Sequence, residues 1–127
     1  DDTDPQGYIY SSKVSKPLLS KNSVYFLDIE CDLYSVDIKT GRKKWKFKTE
    51  SLEGMGAESR VPLPNAIISK EVIYFSHKKR NLYAVDGETG KQLWQFKSET
   101  VSPPVAANNL IYFSDGDGNL YAFRAGK

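Results

Sequence analysis

The chain has 127 residues, enough for one domain with one core, and its 39% hydrophobic content suits a folded protein rather than a disordered one. A net charge of +2 is too near neutral to imply a nucleic-acid partner, and the one cysteine excludes an intramolecular disulfide and any multi-cysteine zinc site. No apolar run approaches the roughly 18 residues of a membrane span, and the 13% aromatic content favours strands, where rings pack on a half-buried pleated surface.

The first residues, Asp1 to Gly7, are polar and carry no signal-peptide pattern. From about residue 16 one pattern recurs three times. The first copy, about 16–49, follows Pro17 with a small-apolar strand A, Leu18–Ser20. Strand B, Val24–Leu27, and strand C, Leu33–Asp37, flank the turn Asp28-Ile29-Glu30-Cys31-Asp32. The turn Asp37-Ile38-Lys39-Thr40-Gly41 then leads to strand D, Lys43–Lys48. Asp can accept from backbone N–H groups ahead of it, and Gly can take the positive φ that closes such a turn. In strand D, Trp45 and Phe47 alternate with lysines, so one side is expected to bury rings against a neighbouring blade and the other to meet water.

An insertion follows at 50–60. The repeat is 49 residues from Leu33 to Leu82 but 38 from Leu82 to Leu120, and the excess falls on a loop containing Glu53, Met55 and Glu58. The second copy, about 61–98, has strands at Ala66–Ser69, Val72–Ser76, Leu82–Asp86 and Gln92–Lys97. Its B–C turn is the basic His77-Lys78-Lys79-Arg80, and Trp94 and Phe96 repeat the rings of strand D. The third copy, about 102–125, has strands at Val105–Ala107, Leu110–Ser114 and Leu120–Arg124, and ends before any strand D. The Tyr-Phe pairs (25–26, 74–75, 112–113) and Leu-Tyr pairs (33–34, 82–83, 120–121) keep their place in every copy.

Four short antiparallel strands per copy make an all-β chain of β-propeller blades. The pattern Tyr-Phe, Leu-Tyr-Ala-Val-Asp, Thr-Gly, Trp-x-Phe resembles the pyrroloquinoline-quinone (PQQ) type propeller repeat over about residues 16–125. That family includes quinoprotein dehydrogenases, BamB-like assembly scaffolds and kinase-linked sensor domains. The enzymes are eight-bladed and place an adjacent cysteine pair beside the quinone. Three blades with one cysteine depart from them, and no Glu, Asn and Asp set for the family's calcium is visible. The resemblance therefore implies a fold and no cofactor. By the same analogy the chain is extracytoplasmic, with protein partners, and neither nucleic acid nor a membrane span is expected.

The N-terminus offers a strand for blade three. Counted back from Pro17 as Trp94 and Phe96 are from Pro103, Tyr8 falls at the place of Trp94 and Tyr10 at that of Phe96, so residues 7–12, with Tyr8, Ile9 and Tyr10, read as the missing strand D. Three blades do not close a ring, for which about four to eight are usual. Two chains could form a six-bladed ring by strand exchange or blade-face contact, the chain could be part of a larger propeller, or it could be an open array. The last would leave apolar faces in water.

Strand order puts the B–C turns and the D–A connections on one end of the blades. There the copies differ in charge and length, whereas the C–D turns at the other end stay alike. Lys78, Lys79 and Arg80, with Glu53, Met55 and Glu58 nearby, are therefore the candidate recognition residues, the cluster suiting an acidic partner surface. No catalytic or metal residue is assigned. Asp115-Gly116-Asp117-Gly118-Asn119 lacks EF-hand spacing and reads as a hairpin turn. His77, the lone histidine, and Cys31, beside Glu30 and Asp32, are expected to be exposed and unreactive. The leading function is a non-enzymatic interaction or assembly module. A dehydrogenase fragment and a receptor sensor domain are the alternatives.

Overall fold

The computed structural model describes residues 14–49, 66–77, 80–98 and 101–127. These contain only strands and turns. Strands β1 (Leu18–Leu19), β2 (Ser23–Leu27), β3 (Leu33–Asp37) and β4 (Lys43–Phe47) form one antiparallel sheet in chain order. The same order holds for β5 (Ile67–Ser69), β6 (Val72–Ser76), β7 (Leu82–Asp86) and β8 (Gln92–Phe96). The third sheet contains β9 (Val105–Ala107), β10 (Leu110–Ser114) and β11 (Leu120–Arg124). The fold is all-β, with each sheet a propeller blade.

Register repeats from blade to blade. Tyr25 faces Ser35, Tyr74 faces Ala84, and Tyr112 faces Ala122 across the second and third strands. The outer strands each carry a bulge at one place, between Ser35 and Val36 and between Ala84 and Val85 on the partner strand. An extra residue there, Lys44 or Leu93, turns outward without shifting the ring-bearing positions that follow.

The turns account for their own backbone groups. Asp37 Oδ1 accepts from the amides of Lys39 (2.7 Å) and Thr40 (3.3 Å), and Asp86 Oδ1 from that of Glu88 (2.9 Å). Gly41 and Gly90, at φ +80° and +78°, close these turns onto the carbonyls of Asp37 and Asp86. Two-residue hairpins join the first and second strands of blades two and three, with positive φ at Lys70 and Glu71 and at Asn108 and Asn109. That is the type I′ geometry, whose twist matches the strands.

Between blades the core is continuous. Tyr25, Leu27 and Leu33 of blade one meet Ile73, Phe75, Tyr83 and Val85 of blade two. Val72, Tyr74, Leu82 and Ala84 on the other face of blade two meet Ile111 and Phe113 of blade three. Blade two is thus covered on both faces, and every residue of β6 and β7 is buried.

The segments entering blades one and three are also equivalent. Val14 bridges Asp28 and Val101 bridges Asp115. The Ser15 and Ser102 amides donate to the Leu27 and Ser114 carbonyls, both at 2.8 Å. Their hydroxyl oxygens accept in return from the Leu27 and Ser114 amides, both at 2.9 Å. Pro17 therefore corresponds to Pro104, and the sequence alignment of Pro17 with Pro103 is one residue out. Tyr8, Ile9 and Tyr10 themselves lie outside the described residues.

Candidate interaction surfaces

Among the described residues, the surfaces that bear on a partner are the blade faces and the two ends that carry the turns. The blade-face chemistry is visible where it is satisfied. Phe47 lies edge-on to Phe75 and Tyr83, with ring centroids 6.4 and 5.8 Å away. Phe96 meets Phe113 at 5.0 Å and Tyr121 at 4.8 Å in the next blade, and Trp94 meets Phe123 at 5.0 Å. Trp45 lies over the Gly90 turn, where an added Cβ would fall 2.6 Å from the indole. Within each blade the ring pair that receives the preceding outer strand is stacked: Phe75 on Tyr83 at 5.4 Å and Phe113 on Tyr121 at 5.3 Å. Phe26 and Tyr34 stack the same way in blade one, at 4.9 Å.

A polar latch accompanies the rings. The Tyr25 hydroxyl donates to the Gly87 carbonyl of the next blade (2.9 Å), and the Tyr74 hydroxyl accepts from the Gly126 amide of blade three (2.9 Å). Burial pushes the Tyr74 hydroxyl pKa up, so it stays protonated at neutral pH. Lys127 adds an ion pair to Asp86 at 3.2 Å across the same junction. Burial tends to raise the Asp86 pKa, but the Glu88 amide and Lys127 outweigh it and hold the carboxyl below its ordinary value.

Tyr112 of blade three occupies the place of Tyr25 and Tyr74, and no blade among the described residues covers it. Leu120 is 72% exposed, whereas its counterparts Leu33 and Leu82 are fully buried. Val105, on the same face, is 58% exposed.

The B–C turns share a backbone and differ in side chains. Asp28, His77 and Asp115 are equivalent, for their amides donate to the carbonyls of Asp32, Asn81 and Asn119. Asp28 Oδ1 accepts from the amides of Glu30 (2.9 Å) and Asp32 (3.0 Å). Asp115 Oδ1 accepts from those of Asp117 and Asn119, both at 3.0 Å, and its Oδ2 from the Tyr121 hydroxyl at 2.8 Å. That hydroxyl, helped by Asn119, holds the Asp115 carboxyl down at about 2. Asp32 Oδ1 accepts from the Thr49 amide (3.1 Å) as Asn81 Oδ1 accepts from that of Ser98 (3.2 Å). Burial raises the Asp32 pKa, and the Thr49 amide and Lys46, 3.8 Å away, oppose it only in part.

Two expectations are corrected here. His77 is buried, because it takes the place of the inward-folding aspartate. Cys31 is also buried, at φ +65°, in the place that blade three gives to Gly118. The connection to the following blade, which donates through Thr49, packs beside this turn. The acidic turn of blade one is therefore largely structural rather than a charged display. Arg80 is half-buried at the edge of its turn. Lys78, Lys79, Glu53, Met55 and Glu58 lie outside the described residues.

At the opposite end, a polar cleft of about 510 Å³ runs between blades one and two, with Lys21, Lys44, Glu71 and Glu88 on its walls. Among the described residues, no three His, Cys, Asp or Glu side chains group where a metal ion could be held. No helix among these residues is long and apolar enough to cross a membrane.

A family model described as outer membrane protein assembly factor BamB matches residues 8–126. Comparison with curated protein sequences finds no match. Among solved structures, BamB from Moraxella catarrhalis superposes with a TM-score of 0.65 at 18% identity, over 91% of this chain and 34% of that one. The computationally designed Ika4 protein gives 0.69 at 15% identity, over 94% and 71%. A europium-containing methanol dehydrogenase gives 0.67 at 17% identity, over 91% and 24%. The chain spans about a third of the Moraxella protein and about a quarter of the dehydrogenase. At these identities the likeness is one of fold.

Proposed function

Because the chain belongs to the family described as outer membrane protein assembly factor BamB, we propose that it is a non-enzymatic propeller module for protein–protein interaction or assembly, working outside the cytoplasm. The observation that supports this most directly is the set of B–C turns. One backbone recurs, while its side chains change from inward-folded aspartates at Asp28 and Asp115 to His77 followed by Lys78, Lys79 and Arg80. A surface whose frame is constant and whose side chains vary is suited to selective binding. The basic cluster suits an acidic partner surface, where it would raise the association rate more than the final affinity. Glu53, Met55 and Glu58 would flank it. Self-association into a dimer is a second form of the same role.

Reversing the charge at Lys78, Lys79 and Arg80 together tests the reading. The variant should keep its fold by circular dichroism and lose the partners that the parent chain retains in a pull-down. Unchanged retention removes the cluster from the interface.

A piece of a quinoprotein dehydrogenase is the second reading, favoured by the likeness in fold to the methanol dehydrogenase. It expects a shift in melting temperature when PQQ and calcium are added together, and no shift would set this reading aside.

A further inference from the structure

We infer that the polar cleft between blades one and two is a binding site for a small zwitterion of the short-peptide class, its carboxylate on the blade-one wall and its ammonium on the blade-two wall. The cleft lies at the end opposite the basic turn, so the inference goes beyond the assembly reading and stands apart from it. Its volume of about 510 Å³ is that of a small-ligand pocket, with room for a peptide of a few residues.

The two walls carry opposite charge. Lys21 and Lys44 stand on blade one, Glu71 and Glu88 on blade two. Among the described residues no ion pair joins one wall to the other, and Glu88 shares Lys127 with Asp86. A guest that carries both signs pairs with both walls at once, whereas a polyanion meets the two carboxylates. Because the charges sit on different blades, a chain that separates its two termini fits better than a free amino acid.

A buried side chain organises the basic wall. Ser23 is 2% exposed, and its Oγ accepts from Lys44 Nζ at 2.8 Å. That bond holds the ammonium at the wall and leaves the Ser23 hydroxyl hydrogen to donate to a carboxylate. The walls are pinned by their backbones. The Ile38 amide donates to the Asn22 carbonyl (3.1 Å) and the Gly87 amide to the Glu71 carbonyl (2.8 Å). The Tyr25 hydroxyl ties the two blades through the Gly87 carbonyl. The Tyr25 ring itself is buried, so the cleft gives a sugar or a base no face to stack on. The second junction is built differently at the same place. Val72 and Leu93 take the positions of Ser23 and Lys44. Lys70, the counterpart of Lys21, packs against Gly126.

Triglycine, its N-acetyl form and its C-terminal amide are the probes, titrated into the isotope-labelled chain while its amide resonances are followed by NMR. Triglycine should shift the resonances of Asn22, Ser23, Glu71 and Glu88, and each blocked form should bind about tenfold more weakly, the scale of one charged contact. Lys44→Leu and Glu71→Asn borrow the residues that other blades use at those places, Leu93 and Asn109, so both variants should fold. Each should weaken triglycine by about tenfold. Lys44→Leu should leave binding of the amide unchanged, and Glu71→Asn that of the acetyl form. No shift at the cleft with about 10 mM triglycine overturns the inference. Equal affinity for the three probes overturns the zwitterion, and binding that withstands both variants overturns the site. The basic-turn reading stands under each of these outcomes.

Discussion

Gly90 and Gly118 sit at nearly the same backbone angle, φ +78° and +88°, but in different surroundings. An alanine at Gly118 meets nothing within 4 Å, so Gly118→Ala should cost only the left-handed strain, about 1 kcal/mol. At Gly90 the new methyl would also press into Trp45, and Gly90→Ala should cost about 2–4 kcal/mol when overpacking is added. Denaturant unfolding of the two variants would measure the difference, and equal losses would mean that Trp45 yields freely. Asp115 has a second signature. Its folded pKa, about 2, is below the ordinary value, so its contribution is complete above about pH 4 and disappears as pH falls through 2. Asp115→Asn should lower the melting temperature at pH 7, modestly because the group is open to solvent, and the gap should close between about pH 4 and pH 2. A gap constant with pH would show that the charge plays no part.

Hairpin chemistry decides how well each blade is joined. Blade three turns from β9 to β10 on Asn108-Asn109, residues that tolerate the required positive φ, whereas blade two makes the same turn on Lys70-Glu71. Replacing Lys70-Glu71 by Asn-Gly should stabilise the chain by about 1 kcal/mol and raise its melting temperature by about 4 °C. No gain would mean that the neighbouring Gly126, packed on Lys70, loses as much as the turn acquires. At this scale the sequence was easy to read. The Tyr-Phe and Leu-Tyr pairs locate the second and third strands, and the third strand of every blade has the range its repeat predicts. Burial inside the turns was not legible. His77 and Cys31 sit among polar residues in short connections, which signals exposure. What buries them is the turn folding inward with the next connection alongside, a contact between segments separated by a strand pair. The one-residue error at Pro17 has a related cause. Two prolines stand side by side at 103–104, and the Val14 and Val101 bridges, with the matching Ser15 and Ser102 hydrogen bonds, decide between them.

Across the whole molecule, the junctions matter more than the individual sheets. Trp45, Phe47, Trp94 and Phe96 each reach from an outer strand onto the next blade, so no blade completes its core alone. Such an array approximates a one-dimensional series, in which stability is a sum of units and nearest-neighbour contacts. Blade two has two neighbours, while β11 of blade three alternates between exposed and half-buried residues. Amide hydrogen exchange should accordingly be slowest in β6 and β7 and fastest in β11. Uniform protection would indicate that all three blades open as one unit. The covered middle blade also bears on how the chain tolerates sequence change. Substitutions in β6 or β7 disturb two junctions at once, whereas those on the open face of blade three disturb none within a single copy. Drift should therefore be resisted in β6 and β7 and tolerated on that face of blade three, whose side chains can change without loss of the fold.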